Sequence, residues 1–205
     1  MPDFVLGVTG NIASGKSMVT GMLAERGATV IDSDLVYREL VAAGAPLLQT
    51  LADRFGKEIV AEDGSLNRGA LGAIVFSDPE ALRDLDRITH PAVIAEVDRR
   101  VVARSGGVIV LDAVKLIESG HVDRCDAVWV VVTDPEEQVT RLMKRNSLPA
   151  EEARRRVAAQ APIEPKLAQA DFVIDNSGSR NETREQVMRA WRALPVSVPA
   201  EPGPH

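Results

Sequence analysis

One cysteine is all that the 205 residues contain, so no disulfide can form within the chain. Cys125 stands in Asp123-Arg124-Cys125-Asp126-Ala127 and reads as a small filler ahead of a strand. Nothing near it suggests a nucleophilic thiol. A basic excess is missing as well. The net charge of −6 lacks the footprint of a general nucleic-acid binder, although a few local cations suffice for a phosphate ligand. There is no run of 18 apolar residues, no secretory core and no transit segment, so neither a membrane nor an export route is expected. A cytoplasmic protein is the default, and no internal repeat is visible. What is present is 45% hydrophobic and 26% charged residues, enough for a sizeable core in an ordinary globular chain.

The strongest local signal is Gly10-Asn11-Ile12-Ala13-Ser14-Gly15-Lys16-Ser17, which fits G-x-x-x-x-G-K-[ST]. Ahead of it Phe4-Val5-Leu6-Gly7-Val8-Thr9 reads as a buried parallel strand. Behind it Met18, Val19, Met22 and Leu23 share one helical face. Strand, glycine loop and helix in this order is the context a phosphate-binding P-loop requires. Loop and helix N–H groups point at phosphate oxygens, and the helix dipole favours the anion. Lys16 would reach the β- and γ-phosphates, and the Ser17 hydroxyl would ligate Mg²⁺. The expected ligand is a nucleoside triphosphate.

Further strands are expected at Ala28–Ile31, Val108–Leu111, Ala127–Val132 and Phe172–Ile174, separated by helical patterns. Such alternation predicts an α/β fold of three layers, with a parallel sheet covered on both faces. The helix after Val132 carries its own punctuation: Asp134 as N-cap, Pro135 first in the helix, and Glu137 placed for a capping box. The last helix presents Val187, Ala190, Trp191 and Leu194 as its packing face. The proline-rich tail from 195 to 205 is expected to be disordered. Residues 35–106 interrupt the alternation and read as a helical, substrate-binding insert. Its segments are Glu39–Phe55, Arg68–Phe76 and a helix opening near Pro79, with a break at His90-Pro91. Residues 146–166, rich in Arg and Glu, suit a small lid. Arg154, Arg155 and Arg156 there read as a solvated face paired with Glu151 and Glu152. The nucleotide core is accordingly 1–34 with 107–194.

A P-loop alone does not separate kinase from GTPase or motor. Asp32 and Asp34 end the second strand, where a doubly wound sheet opens onto the crevice. They suit nucleophile placement and metal-bound water, or else a turn that caps the next helix. Asp112 ends the Val108–Leu111 strand in the position of a Walker-B acid. Arg141 and Arg145, four apart on one helix, would stabilise γ-phosphate charge, or else lie exposed on an amphipathic face.

Together with the P-loop, several ordered motifs resemble the dephospho-CoA kinase family from Val5 to about Leu194. They are Val30-Ile31-Asp32-Ser33-Asp34, Asp63-Gly64-Ser65-Leu66-Asn67-Arg68 with Leu71 and Phe76, and Ile88-Thr89-His90-Pro91. Arg141 with Arg145, Ala159-Gln160, and Ala170-Asp171-Phe172-Val173-Ile174-Asp175-Asn176 complete the series. The resemblance implies ATP-dependent phosphorylation of the ribose 3′-hydroxyl of dephospho-CoA, with Mg²⁺, by a monomer or weak oligomer. It makes Lys16, Asp34 and Arg141 catalytic and Asp34 the acceptor of the hydroxyl proton. Asn11, Ile12, Ala13, Ser14, Gly15, Lys16, Ser17 and Met18 would hold the nucleotide, with Arg145 and Asn176. Arg68 and Asp34 would meet the substrate, His90 would either touch it or only turn the chain, and Ser17 and Asp32 would meet the metal.

The chain departs from the family's usual loop at Asn11, Ala13 and Met18, which stand for glycine, glycine and threonine. Asn11 is expected to carry any positive φ the glycine had. Val114-Lys115-Leu116-Ile117-Glu118 replaces the usual P-L-L-F-E and places Lys115 just past a strand end, where it would meet a substrate phosphate or else face solvent. Another small-molecule P-loop kinase, acting on a nucleoside or sugar alcohol, is the alternative enzyme. A GTP-dependent switch would need N-K-x-D, which the chain lacks. A nucleotide binder without catalysis fits poorly with acids and arginines at separate strand ends.

Overall fold

Five strands form one sheet in the order β2-β3-β1-β4-β5 in the computed structural model, which describes residues 2–196. They are β1 (Phe4–Thr9), β2 (Thr29–Asp32), β3 (Val108–Asp112), β4 (Ala127–Val132) and β5 (Phe172–Asp175). The pairs β1–β3, β1–β4 and β4–β5 are parallel, in register Leu6 with Val110, Val8 with Trp129, and Val130 with Val173. All six residues of β1 are buried, as a strand with both faces covered must be. One face packs under α1 (Lys16–Ala24) and α9 (Arg180–Arg192) through Val19, Met22, Leu23, Val187, Ala190 and Trp191. On the other face Leu116 and Cys125 approach Gly7 so closely that a β-carbon there would collide with both. The filler role of Cys125 has a chemical consequence. Burial, with Asp126 beside it, pushes its thiol up to about 12, so no thiolate is available for chemistry.

The chain divides into two compact units. The first holds the sheet and runs through the described residues up to Ile31 and again from Arg104. The second, Asp32–Ala103, is mainly helical, with one antiparallel bridge between Val60 and Leu66. It contains α2 (Ser33–Leu40), α3 (Pro46–Phe55), α4 (Arg68–Ser77) and α5 (Pro79–Val102) around a core of Val41, Leu51, Phe55, Ile59, Leu71 and Val75. The first unit's remaining helices are α6 (Pro135–Asn146), α7 (Ala150–Ala158) and the short α8 (Glu164–Leu167).

Three local expectations change. The segment from Glu39 to Phe55 is two helices, because the chain turns at Gly44 with φ 77 and restarts on Pro46. No break occurs at His90-Pro91, and α5 runs on for 24 residues. Pro91 removes one N–H from the ladder, but buried Thr89, Val93 and Val97 hold the helix on both sides. Glu137 makes no capping box; its carboxylate accepts instead from Arg141 Nε at 2.9 Å. The box occurs on α9, where Ser179 and Glu182 satisfy each other's backbone N–H. Of the tail expected to be disordered, residues 197–205 lie outside the described residues.

Candidate active site

The glycine loop leaves β1 and enters α1 through Gly15, which is left-handed at φ 92. Glycine is required there twice over: for that φ, and because Asn176 Nδ2 occupies the space a β-carbon would fill. The strain tied to the loop's substitutions falls on Ala13, at φ 58, and not on Asn11. A left-handed alanine costs about 1–2 kcal/mol, held here by the packing of Ile12 and Ala13 against Val139, Leu142 and Ala153. Met18, in place of threonine, turns toward the core beside α1.

Among the described residues, nothing accepts from the N–H groups of Ala13, Gly15 or Ser17. Open donors at a loop and helix N-terminus form an anion cradle. The carbonyls behind the cradle are braced. Ser14 O accepts from Asn176 Nδ2 at 2.7 Å and from Arg141 Nη1 at 3.1 Å. Arg141 also donates to Ala13 O (3.4 Å) and Asn176 O (2.8 Å). Asn176 is 2% exposed and completes its amide by accepting from Thr183 Oγ1 at 2.9 Å. Arg141 and Asn176 thus hold the cradle from behind, with most of their donors spent on backbone. Arg145 is exposed and donates to the neighbouring Asn146 side chain at 2.9 Å. The two arginines share a helix but not their partners.

Lys16 pairs with Asp112, which is 4% exposed and also accepts from Thr20 Oγ1 at 3.2 Å. The cation and the strand-end acid are thereby fixed at the mouth of the cradle. Ser17 is exposed at the start of α1. In the helical unit, Asp32 Oδ1 caps α2 by accepting from Asp34 and Leu35 N–H at 2.8 and 3.0 Å. The capping reading of this motif is what the structure contains, with Oδ2 left over, and it leaves the Asp34 side chain exposed in the first turn.

Arg68 opens α4 with its guanidinium 5.9 Å from the Tyr37 ring centre. Burial raises the Tyr37 pKa and the charge of Arg68 partly offsets it. The motif before Arg68 is a turn in which Asp63 accepts from Ser65 N (2.9 Å) and Oγ (2.6 Å), bonds that lower its pKa. His90 faces Asp86 on α5, Nε2 to Oδ1 at 3.2 Å. Lys115 lies just past β3, in a stretch anchored by a residue not anticipated from the sequence. Lys166, 3% exposed, donates to Val114 O (3.0 Å) and Glu118 (2.5 Å). Burial is the largest single influence on Glu118 and would raise its pKa, but the Lys166 bond, a backbone bond and the charges of Lys166 and Lys115 together outweigh it, and the carboxyl lies below its usual range.

Gln160 gains its partner only in three dimensions. Its Oε1 accepts from Ile12 N–H at 2.6 Å, and Asn11 Nδ2 donates to Ala161 O at 3.3 Å. The segment after α7 is therefore tied to the start of the glycine loop. On α7 itself Arg155 and Arg156 pair with Glu152, and Arg154 reaches Glu136 at 3.9 Å, a solvated face. The motif Ala159-Gln160 was legible in the sequence; its contact with Ile12 required the fold.

Comparison with known proteins bears directly on this arrangement. The profile of the dephospho-CoA kinase family matches residues 4–182. A dephospho-CoA kinase of Symbiobacterium thermophilum is 47% identical over 201 residues, spanning 97% of this chain and 84% of that protein. Among solved structures, TT1252 from Thermus thermophilus superposes with a TM-score of 0.82 at 33% identity, covering 96% of this chain and all of the other. A dephospho-CoA kinase from Campylobacter jejuni gives 0.68 at 26% identity over 94% of this chain and 96% of its own.

Proposed function

The chain belongs to the dephospho-CoA kinase family, and from that premise we propose how its residues divide the work of the reaction. The enzyme phosphorylates dephospho-CoA with ATP, the last step of coenzyme A biosynthesis. The observation that carries the assignment of the donor site is the cradle of open N–H groups at Ala13, Gly15 and Ser17, with Lys16 and buried Asp112 at its mouth.

The triphosphate of ATP lies on these N–H groups, and the loop holds its shape because Arg141 and Asn176 fix the Ala13 and Ser14 carbonyls. A pre-shaped loop reorganises little when charge develops on the transferring group. Lys16 exchanges part of its attraction to Asp112 for the β- and γ-phosphates. Asp34, exposed at the start of α2, orients the ribose 3′-hydroxyl and accepts its proton. A loose phosphoryl-transfer transition state asks more for alignment than for early deprotonation, so a carboxylate suffices. The hydroxyl oxygen forms its bond to γ-phosphorus as the bond to the β-bridging oxygen breaks, and ADP leaves.

Mg²⁺ fits the donor set. Among the described residues there is no group of three metal-ligating side chains, so phosphate oxygens must complete the shell. The Ser17 hydroxyl would hold the ion beside the phosphates, whose charge it neutralises when bound, and Asp32 Oδ2, which caps nothing, is left available to a cation. Arg68, His90 and Lys115 are assigned to the acceptor, and the helical unit to the body of dephospho-CoA. Among the described residues no helix is long and apolar enough to cross a membrane.

Asp34→Asn tests the division of labour. The expected result is a fall in kcat of about 100-fold with KM for dephospho-CoA changed by no more than about threefold. An unchanged kcat removes Asp34 from the chemistry.

A further inference from the structure

A cavity of about 360 Å³ opens beside the start of the glycine loop, wholly within the sheet-bearing unit. Its walls include Asn11, Thr133, Gln138, Val157, Gln160 and Ile163. Gln138 is the informative member. It is 7% exposed, on the first turn and a half of α6, and no described group hydrogen-bonds its carboxamide. The amide is not sealed in the core but lines the cavity, where its donor and acceptor are open to a ligand.

The chemistry of the walls narrows the ligand. Three carboxamides, Asn11, Gln138 and Gln160, stand among Val131, Val157 and Ile163. No lysine or arginine lines the cavity, so it does not suit a phosphate or pyrophosphate. The volume is at the small end of ligand sites, about 300–1,000 Å³, and suits one planar heterocycle better than a whole nucleotide. Carboxamides donate and accept together, matching the adjacent amino group and ring nitrogen of adenine.

The place narrows it further. The Ile12 N–H faces Gln160 on the cavity wall, whereas the open N–H groups of Gly15 and Ser17 lie at the opposite, helix end of the loop. A phosphate chain seated on the helix end directs its γ-group toward the loop's start. The acceptor hydroxyl must meet the γ-phosphate, and in dephospho-CoA the ribose bearing that hydroxyl also bears an adenine. Resting on the dephospho-CoA reading, we propose that this cavity receives the adenine base of the acceptor and that the Gln138 carboxamide hydrogen-bonds its edge. Gln138 is then a specificity residue for the acceptor, distinct from the residues that hold ATP.

The test compares wild type, Gln138→Ala and Ile163→Trp, the last filling the cavity from its half-exposed wall. Acceptors are dephospho-CoA and its hypoxanthine analogue. Wild type should favour adenine by roughly 10-fold or more in kcat/KM, and Gln138→Ala should narrow that preference to within about threefold. Both variants should raise KM for dephospho-CoA about 10-fold while KM for ATP stays within about twofold. Unchanged acceptor KM and base preference in folded variants overturn the proposal. So does a shift in KM for ATP and in ATP-over-GTP preference, which would give the cavity to the donor. Should Gln138→Ala fail to fold, Ile163→Trp alone decides through the acceptor KM. A wild type inactive on dephospho-CoA sinks the functional reading first and this proposal with it; an active wild type with indifferent variants sinks only the proposal.

Discussion

Lys16 shows how a residue with an obvious ligand role also has a structural one. A loop lysine invites the view that its removal leaves the fold untouched, but its side chain is 12% exposed and its partner Asp112 is 5% exposed. Removing one member of a buried pair leaves the other charge uncompensated, which costs about 3 kcal/mol. Lys16→Met should therefore lower kcat at least 100-fold and also lower stability by about that amount in urea unfolding. The double change Lys16→Met with Asp112→Asn should recover most of the stability and none of the activity. Equal stability of wild type and the single variant would mean that the pair does not hold the loop. Arg141 and Asn176 carry the same lesson: a basic or amide side chain at a phosphate site can serve the backbone beneath the ligand. Their identities were legible in the sequence, while their bonds to Ala13, Ser14 and Thr183 depend on residues up to 162 positions away.

At the scale of elements, periodicity and punctuation located the strands and most helices, and failed where long-range packing overrode a local signal. The parallel strands were readable because burial on both faces demands unbroken apolar runs such as Val128–Val131. Pro91 misled because a proline removes only one bond from a helix that tertiary contacts can sustain. That helix, α5, is clasped by Glu96, which pairs with Arg99 and Arg100, while Arg100 also reaches Glu39 near the end of α2. These bonds draw the Glu96 pKa from 4.5 to about 2. A depressed carboxyl contributes stability above its unfolded pKa and loses it as pH falls through the folded one, so the window is about pH 4.5 down to 2. Glu96→Gln should be less stable than wild type at pH 6, and the gap should close as pH is lowered across that window. The exposed setting keeps the effect small. A gap that stays constant with pH would show that the Glu96 charge is not what holds Arg99 and Arg100 in this cluster on α5.

For the molecule as a whole, the division at Ile31 and Asp32 is itself informative. The P-loop, Asp112, Arg141 and Asn176 belong to the sheet unit, whereas Asp32, Asp34, Arg68 and His90 belong to the helical unit. The donor cradle is thus built wholly by the sheet unit, whereas the residues assigned to the acceptor come from both units, Lys115 and Gln138 from the first and Asp34, Arg68 and His90 from the second. The sheet and the glycine loop were legible because each follows from a short, strict pattern. Gln138 and Lys166 were not, since a polar residue on a helix announces neither what it faces nor how deeply it is buried, and of Gln160 only the motif was legible, not its bond to Ile12. The decisive measurement is ADP release from Mg-ATP by the full chain, with the product of dephospho-CoA analysed by phosphorus NMR. A new monoester on the ribose 3′-oxygen, formed with ADP in equal amounts, is the result predicted. ADP release no faster than without acceptor, or preferential phosphorylation of a nucleoside or sugar alcohol, would contradict it.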